Sequence, residues 1–88
     1  MTKHAPFGSP EELNAFVTAT RARMAELGLG ASSEPLACVQ ATAYTTSSEW
    51  FGELGIAVKE IVKSGPLPPE IRERLARIRA AVRRGWRR

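Results

Sequence analysis

The sequence predicts an all-α fold, and three observations carry that prediction. Apolar residues recur at three- and four-residue spacings over long stretches, the period of an amphipathic helix. Helix start and stop signals stand at the edges of those stretches. No stretch alternates apolar and polar residues as a half-buried strand does, and no hairpin turn is signalled. The 88 residues make one domain at most. Residues 1–8 read as a flexible tail, 9–84 as a single helical domain and 85–88 as a basic tail. A chain this short buries roughly 60% of its unfolded surface, so its core is thin and invites a partner or a second copy.

The first helix opens at Ser9-Pro10-Glu11-Glu12. Ser9 serves as N-cap, Pro10 fits the first helical position and Glu12 completes a capping box. Leu13, Phe16, Val17, Met24 and Leu27 follow on one face, with Thr20 in phase. Gly28 is the stop. Ala15, Ala19 and Ala22 line the opposite face, which is either a close-packing surface or a consequence of alanine's high helix propensity. After a loop, Ser33-Glu34-Pro35 opens the next helix, whose stripe is Leu36, Val39 and Ala43.

The middle of the chain admits two architectures. At about 100° per residue, Leu36, Ala43, Ser47, Trp50, Leu54 and Ile61 share one sector, with Phe51, Val58 and Val62 beside them. That phase coherence favours one helix from about Glu34 to Lys63, running through Thr45-Thr46-Ser47-Ser48. Against it, Thr46-Ser47-Ser48-Glu49 matches a capping box ahead of an apolar run, and Thr and Ser compete for the helix backbone. The fold is therefore a bundle of three helices with a long central one, or of four if the chain breaks near residues 45–48. An unbroken central helix would be about 45 Å long against about 27 and 24 Å for its neighbours, and would leave apolar surface for another chain to cover. A broken one lets a four-helix bundle close on itself.

Ser64-Gly65-Pro66-Leu67-Pro68-Pro69 is a stop and a restart. The last helix carries Ile71, Leu75, Ile78 and Val82 at spacings of four, three and four, with Trp86 in phase. Glu70 with Arg74 and Glu73 with Arg77 stand as i,i+4 pairs in the favourable order.

Little in the composition supports catalysis. Cys38 is the sole cysteine, so no intrachain disulfide forms, and it reads as a small half-buried helix residue. His4 is the sole histidine and lies in the tail, so neither a zinc site nor a Cys-His dyad is expected. Gly52-Glu53-Leu54-Gly55 lacks the strand and lysine of a phosphate loop. Ser47 and Ser48 have no base near them in sequence. Glu49, Glu53 and Glu60 lie on an outward flank, without a pocket to shift a pKa. The expectation is a protein that is not an enzyme and calls for no cofactor and no metal. No apolar run approaches ~18 residues, and the first residues lack the apolar core of a signal peptide, which points to the cytoplasm and away from membranes.

Two surfaces remain. The first is the flank of Glu49, Gly52, Glu53, Gly55, Ile56, Lys59 and Glu60. Two glycines inside a helix each cost about 1 kcal/mol relative to alanine, which close approach of another helix would offset. Ile56 stands off the main stripe among these residues and reads either as an isolated exposed side chain or as part of a contact surface. The second is the basic C-terminus. The net charge is +4, yet eight of the ten arginines lie between Arg72 and Arg88, so a basic arm joins a mildly acidic body. Arg72, Arg79, Arg83, Arg84, Arg87 and Arg88 fit phosphates, an acidic protein, or solvent alone.

One resemblance bears on the first surface. ELGIAVKEI, Glu53 to Ile61, followed by a loop and a final helix beginning PPEIRERL, resembles the C-terminal half of a group of small all-helical bacterial immunity proteins that sit beside type VI secretion toxins. The likeness covers about a third of the chain. It implies a toxin as protein partner, with the region from Glu53 to Glu60 near the working surface. The arginine-rich end departs from the acidic surface such a protein would carry. The sequence thus points to a small helical protein that works by binding, either to itself as a homodimer or to a partner that it neutralises or regulates. The alternative is a nucleic-acid binder using the C-terminal arginines.

Overall fold

The computed structural model describes residues 7–44 and 46–86. Among the described residues there are four helices: α1 over Pro10–Glu26, α2 over Glu34–Ala41, α3 over Ser47–Lys63 and α4 over Pro69–Trp86. A single 3₁₀ turn, Ala31–Ser33, leads into α2. Among the described residues there is no strand. Residues 1–6 of the expected tail, and Arg87 and Arg88 of the basic end, lie outside the described residues.

The start of α1 follows the sequence signals closely. Ser9 is extended, and its hydroxyl accepts the Glu12 N–H at 3.2 Å. The Glu12 carboxylate reaches back one residue further than a capping box requires and accepts the Gly8 N–H at 2.7 Å. Gly8 is therefore tied to the helix, as is Phe7, whose ring centroid lies 5.2 Å from that of Phe16. At the other end Gly28 adopts φ 79°, the left-handed conformation glycine accepts at no steric cost. The Gly28 N–H donates to the Ala25 carbonyl and the Leu29 N–H to that of Met24, at 3.1 and 2.7 Å, which is the Schellman pattern.

The expected unbroken helix from Glu34 to Lys63 is not what forms. The chain leaves α2 at Thr42, which is extended at φ −94° and ψ 136°. The Thr42 hydroxyl donates to the Cys38 carbonyl at 2.8 Å and so satisfies part of the helix end. Thr46 is extended again, and its hydroxyl accepts the Glu49 N–H at 3.2 Å as the N-cap of α3. The capping-box signal was the correct one. The phase coherence across residues 36–61 arises because α2 and α3 face the same core, not because they are one rod. Ser33 stands at the start of α2 but makes no side-chain cap, and donates its hydroxyl to the Gly30 carbonyl within the 3₁₀ turn. Cys38, expected half-buried, is exposed.

With the chain broken, each helix packs on two neighbours, in a cycle from α1 to α2 to α3 to α4 and back to α1, and α3 with α4 is the most extensive pairing. The core is built from Leu13, Val17 and Met24 of α1, Leu36 and Val39 of α2, Leu54, Ala57, Val58 and Ile61 of α3, and Ile71, Leu75, Ile78 and Val82 of α4. The last four are the stripe read from spacing. Leu27, placed by spacing on the α1 stripe, is 38% exposed because the chain has already left the helix there. The alanine face of α1 is exposed, so its alanines serve propensity rather than packing.

Polar bonds fix how the helices meet. Gln40 of α2 accepts from Arg21 at 2.7 Å, and its amide nitrogen lies within 2.9–3.2 Å of the Asn14 side chain, the Asn14 carbonyl and the Thr18 hydroxyl, all on α1. Arg23 of α1 grips Glu70 of α4 through two nitrogens, at 2.6 and 3.2 Å.

Candidate functional site

α3 and α4 run antiparallel, joined by a short loop. Val82, near the end of α4, packs on Gly55, while Arg72, near its start, lies beside Val62. Their outer surfaces leave an open groove of about 370 Å³ lined by Val58 and Val62 of α3 and by Arg72, Leu75, Ala76, Arg79, Ala80 and Arg83 of α4. The floor is apolar, and Val62 stays 50% exposed there. The α4 wall carries three guanidinium groups on one line, at spacings of seven and four residues. None of the three has an ion-pair or hydrogen-bond partner within the described chain. No acidic residue lines the groove.

Arg21, Arg23, Arg74 and Arg77 are already engaged. Arg74 donates to the Thr20 hydroxyl at 3.1 Å and lies 4.9 Å over the Phe16 ring. Arg77 lies over both Phe16 and Phe7, at 4.7 and 5.4 Å. Arg23 holds Glu70, and that hydrogen bond is the main reason the Glu70 carboxyl titrates below its ordinary range. The same bond, with a second that Arg23 donates to Glu26, raises the Arg23 guanidinium above its usual value. The i,i+4 pairs expected from Glu70 to Arg74 and from Glu73 to Arg77 are thus replaced. Glu70 pairs across helices, and both arginines turn to aromatic rings.

The residues singled out in the sequence divide accordingly. Arg72, Arg79 and Arg83 come together in the groove. Arg84 is exposed but sits about 100° further round α4 and does not line it. Glu49, Glu53, Ile56 and Glu60 form a line on the outer face of α3, all exposed, with Ile56 at 49%. Gly52 and Lys59 flank that line. Gly55 does not belong to it, because its side faces the chain's own α4. A Cβ there would lie 3.3 Å from Cγ1 of Val82, so the close approach inferred for this glycine is intramolecular. Val58, Val62, Ala76 and Ala80 were not recognisable as site residues, since aliphatic residues at helical spacing read as core or as helix filler.

A second groove, of about 450 Å³, lies where α1, α2 and the start of α3 meet, lined by Pro10, Glu11, Asn14, Val39, Gln40, Thr42, Tyr44, Thr46 and Trp50. Its central amide, Gln40, is committed to α1, which leaves it little free hydrogen-bonding capacity. Among the described residues no three His, Cys, Asp or Glu side chains gather as metal ligands would, and no helix is long and apolar enough to cross a membrane. Compared with known proteins, the chain matches no family model, no curated protein and no solved structure.

Proposed function

We propose that this chain is a non-catalytic helical docking protein whose α3–α4 groove takes an acidic, amphipathic helical segment of a protein partner. The observation that carries the reading is the groove's pairing of an apolar floor with three arginines that have no partner of their own. Helix-in-groove recognition needs both halves. Apolar anchors remove Val62 and its neighbours from water, and acidic residues meet the arginine line. A nucleic-acid backbone would meet the arginines but leave the aliphatic floor uncovered, which favours a protein over a nucleic acid.

The test is an NMR titration of the ¹⁵N-labelled full chain, with two probes. One is a designed peptide carrying leucines and glutamates at heptad spacing; the other is a short DNA duplex. The peptide is expected to shift Val58, Val62, Ala76 and Ala80 saturably, with affinity about tenfold weaker in Arg79→Ala/Arg83→Ala. If those signals stay put with the peptide, or the duplex moves them with a steep salt dependence, the reading is wrong.

A further inference from the structure

The groove wall has a counterpart elsewhere on the same molecule. Along α4 the wall reads Arg72, Ala76, Arg79, Arg83, at spacings of four, three and four. Along the outer face of α3 the exposed line reads Glu49, Glu53, Ile56, Glu60, again at four, three and four. Laid antiparallel, the two lines keep one register over their whole length. Glu60 stands opposite Arg72, Ile56 opposite Ala76, Glu53 opposite Arg79 and Glu49 opposite Arg83. Each line spans about 16 Å of helix, so the match does not depend on bending either one. The single apolar side chain of the ridge falls on Ala76, the one alanine of that four-residue line, where a small residue lets a neighbouring helix come close. Charges of opposite sign meet at the other positions.

The ridge does not reach the groove of its own chain. Gly55 and Val62 mark the side of α3 that faces α4, and Glu53, Ile56 and Glu60 lie about 100° or more around the helix from them. We propose that the occupant of the α3–α4 groove is the α3 ridge of a second copy of this chain, docked antiparallel to α4 with Ile56 as its apolar anchor. This rests on the docking reading of the groove given above and names its partner. Glu49 already has an interaction of its own, so the proposal rests on Glu53, Ile56 and Glu60.

Ridge and groove are different surfaces, so the contact is heterologous and builds a ring or a chain of copies rather than a two-fold pair. Its ion pairs form at an exposed rim, which makes the association weak and salt-sensitive.

Charge reversal at exposed positions tests this with the full-length protein. Sedimentation velocity over a concentration series compares the wild type with Glu53→Arg/Glu60→Arg and with Arg72→Glu/Arg79→Glu. Circular dichroism checks that each variant is folded. The wild type is expected to associate with concentration. Each variant alone sets like charges face to face and is expected to lose at least about tenfold in association constant. Mixing the two variants in equal amounts restores opposite charges at every contact and is expected to restore association. A wild type that stays monomeric throughout, a ridge variant that associates as the wild type does, or a mixture that fails to recover would overturn the proposal. If the wild type is monomeric while the groove still takes the acidic peptide, only self-docking falls; if the peptide also fails, the docking reading falls with it.

Discussion

The flank of α4 that faces α1 carries Arg74 and Arg77, and the flank that faces away carries Arg72, Arg79 and Arg83. The inner pair is consumed by the fold. Phe7 and Phe16 pack against each other with tilted rings, Arg77 lies over both and Arg74 over Phe16, and Arg74 also donates to the Thr20 hydroxyl. Among the described residues the outer three have no acid or ring partner, and they border exposed aliphatic surface instead. Charge density alone would have marked the whole helix as a binding surface. The difference teaches that an arginine becomes a candidate for recognition when the fold has left it without a partner.

The largest effect that would test this division comes from the aromatic platform. Phe16 is half-buried and carries both inner arginines. Phe16→Ala is expected to lower the unfolding free energy by about 2–3 kcal/mol, below the range for a fully buried ring, because part of the ring is already in water. Urea denaturation of the variant measures it. A loss below about 1 kcal/mol would mean that the arginine-aromatic stack adds little and that the inner flank is as idle as the outer one.

Removing the arginines themselves separates the flanks directly. Arg74→Ala/Arg77→Ala is expected to cost about 1–2 kcal/mol, from three cation–π contacts that share one pair of part-exposed rings, and so do not add in full, and one hydrogen bond to a buried hydroxyl. Arg79→Ala/Arg83→Ala is expected to change stability by no more than about 0.5 kcal/mol, as surface positions without partners do. Equal costs for the two pairs, read from the same urea titrations, would dissolve the distinction on which the groove's assignment stands.

Much of the body was legible because its signals are local. The Ser9-Pro10-Glu12 start, the Gly28 stop and the stripe of Ile71, Leu75, Ile78 and Val82 each depend on residues within a few positions of one another, and each stands where spacing put it. The break between α2 and α3 was harder, because helical phase cannot distinguish one helix from two that turn the same side to one core. The fate of the charged residues was not legible. Glu70 has Arg74 at ideal spacing in its own helix, yet it binds Arg23, 47 positions away in sequence. Gln40 gives no periodic signal at all, although it ties α2 to three residues of α1. Of the groove, the arginine line could be read from the sequence. The apolar half could not, because Val58 and Val62 look like core until α4 is seen to cover one and leave the other exposed.

The smallest expected effect sits on the inner side of α4 and sharpens what an engaged charge contributes. Arg23 donates to both oxygens of Glu70, and that bond holds the Glu70 carboxyl below its ordinary value of 4.5. The folded-state pKa is thus lower than the unfolded one, so the pair's contribution is fully present above about 4.5 and fades as the pH falls through the lower, folded-state value. Both side chains are substantially exposed, at 40% and 48%, so water and salt screen the pair and its effect is slight. Glu70→Gln keeps the shape of the side chain and removes its charge. Its urea midpoint is expected to fall just below the wild type's at neutral pH and to converge with it in acid, once the wild-type carboxyl is protonated too. A gap that survived in acid would show that Glu70 holds α1 against α4 by fit rather than by charge. The inner flank would then be built on packing throughout, and charge would matter on α4 only where the fold leaves it unpaired.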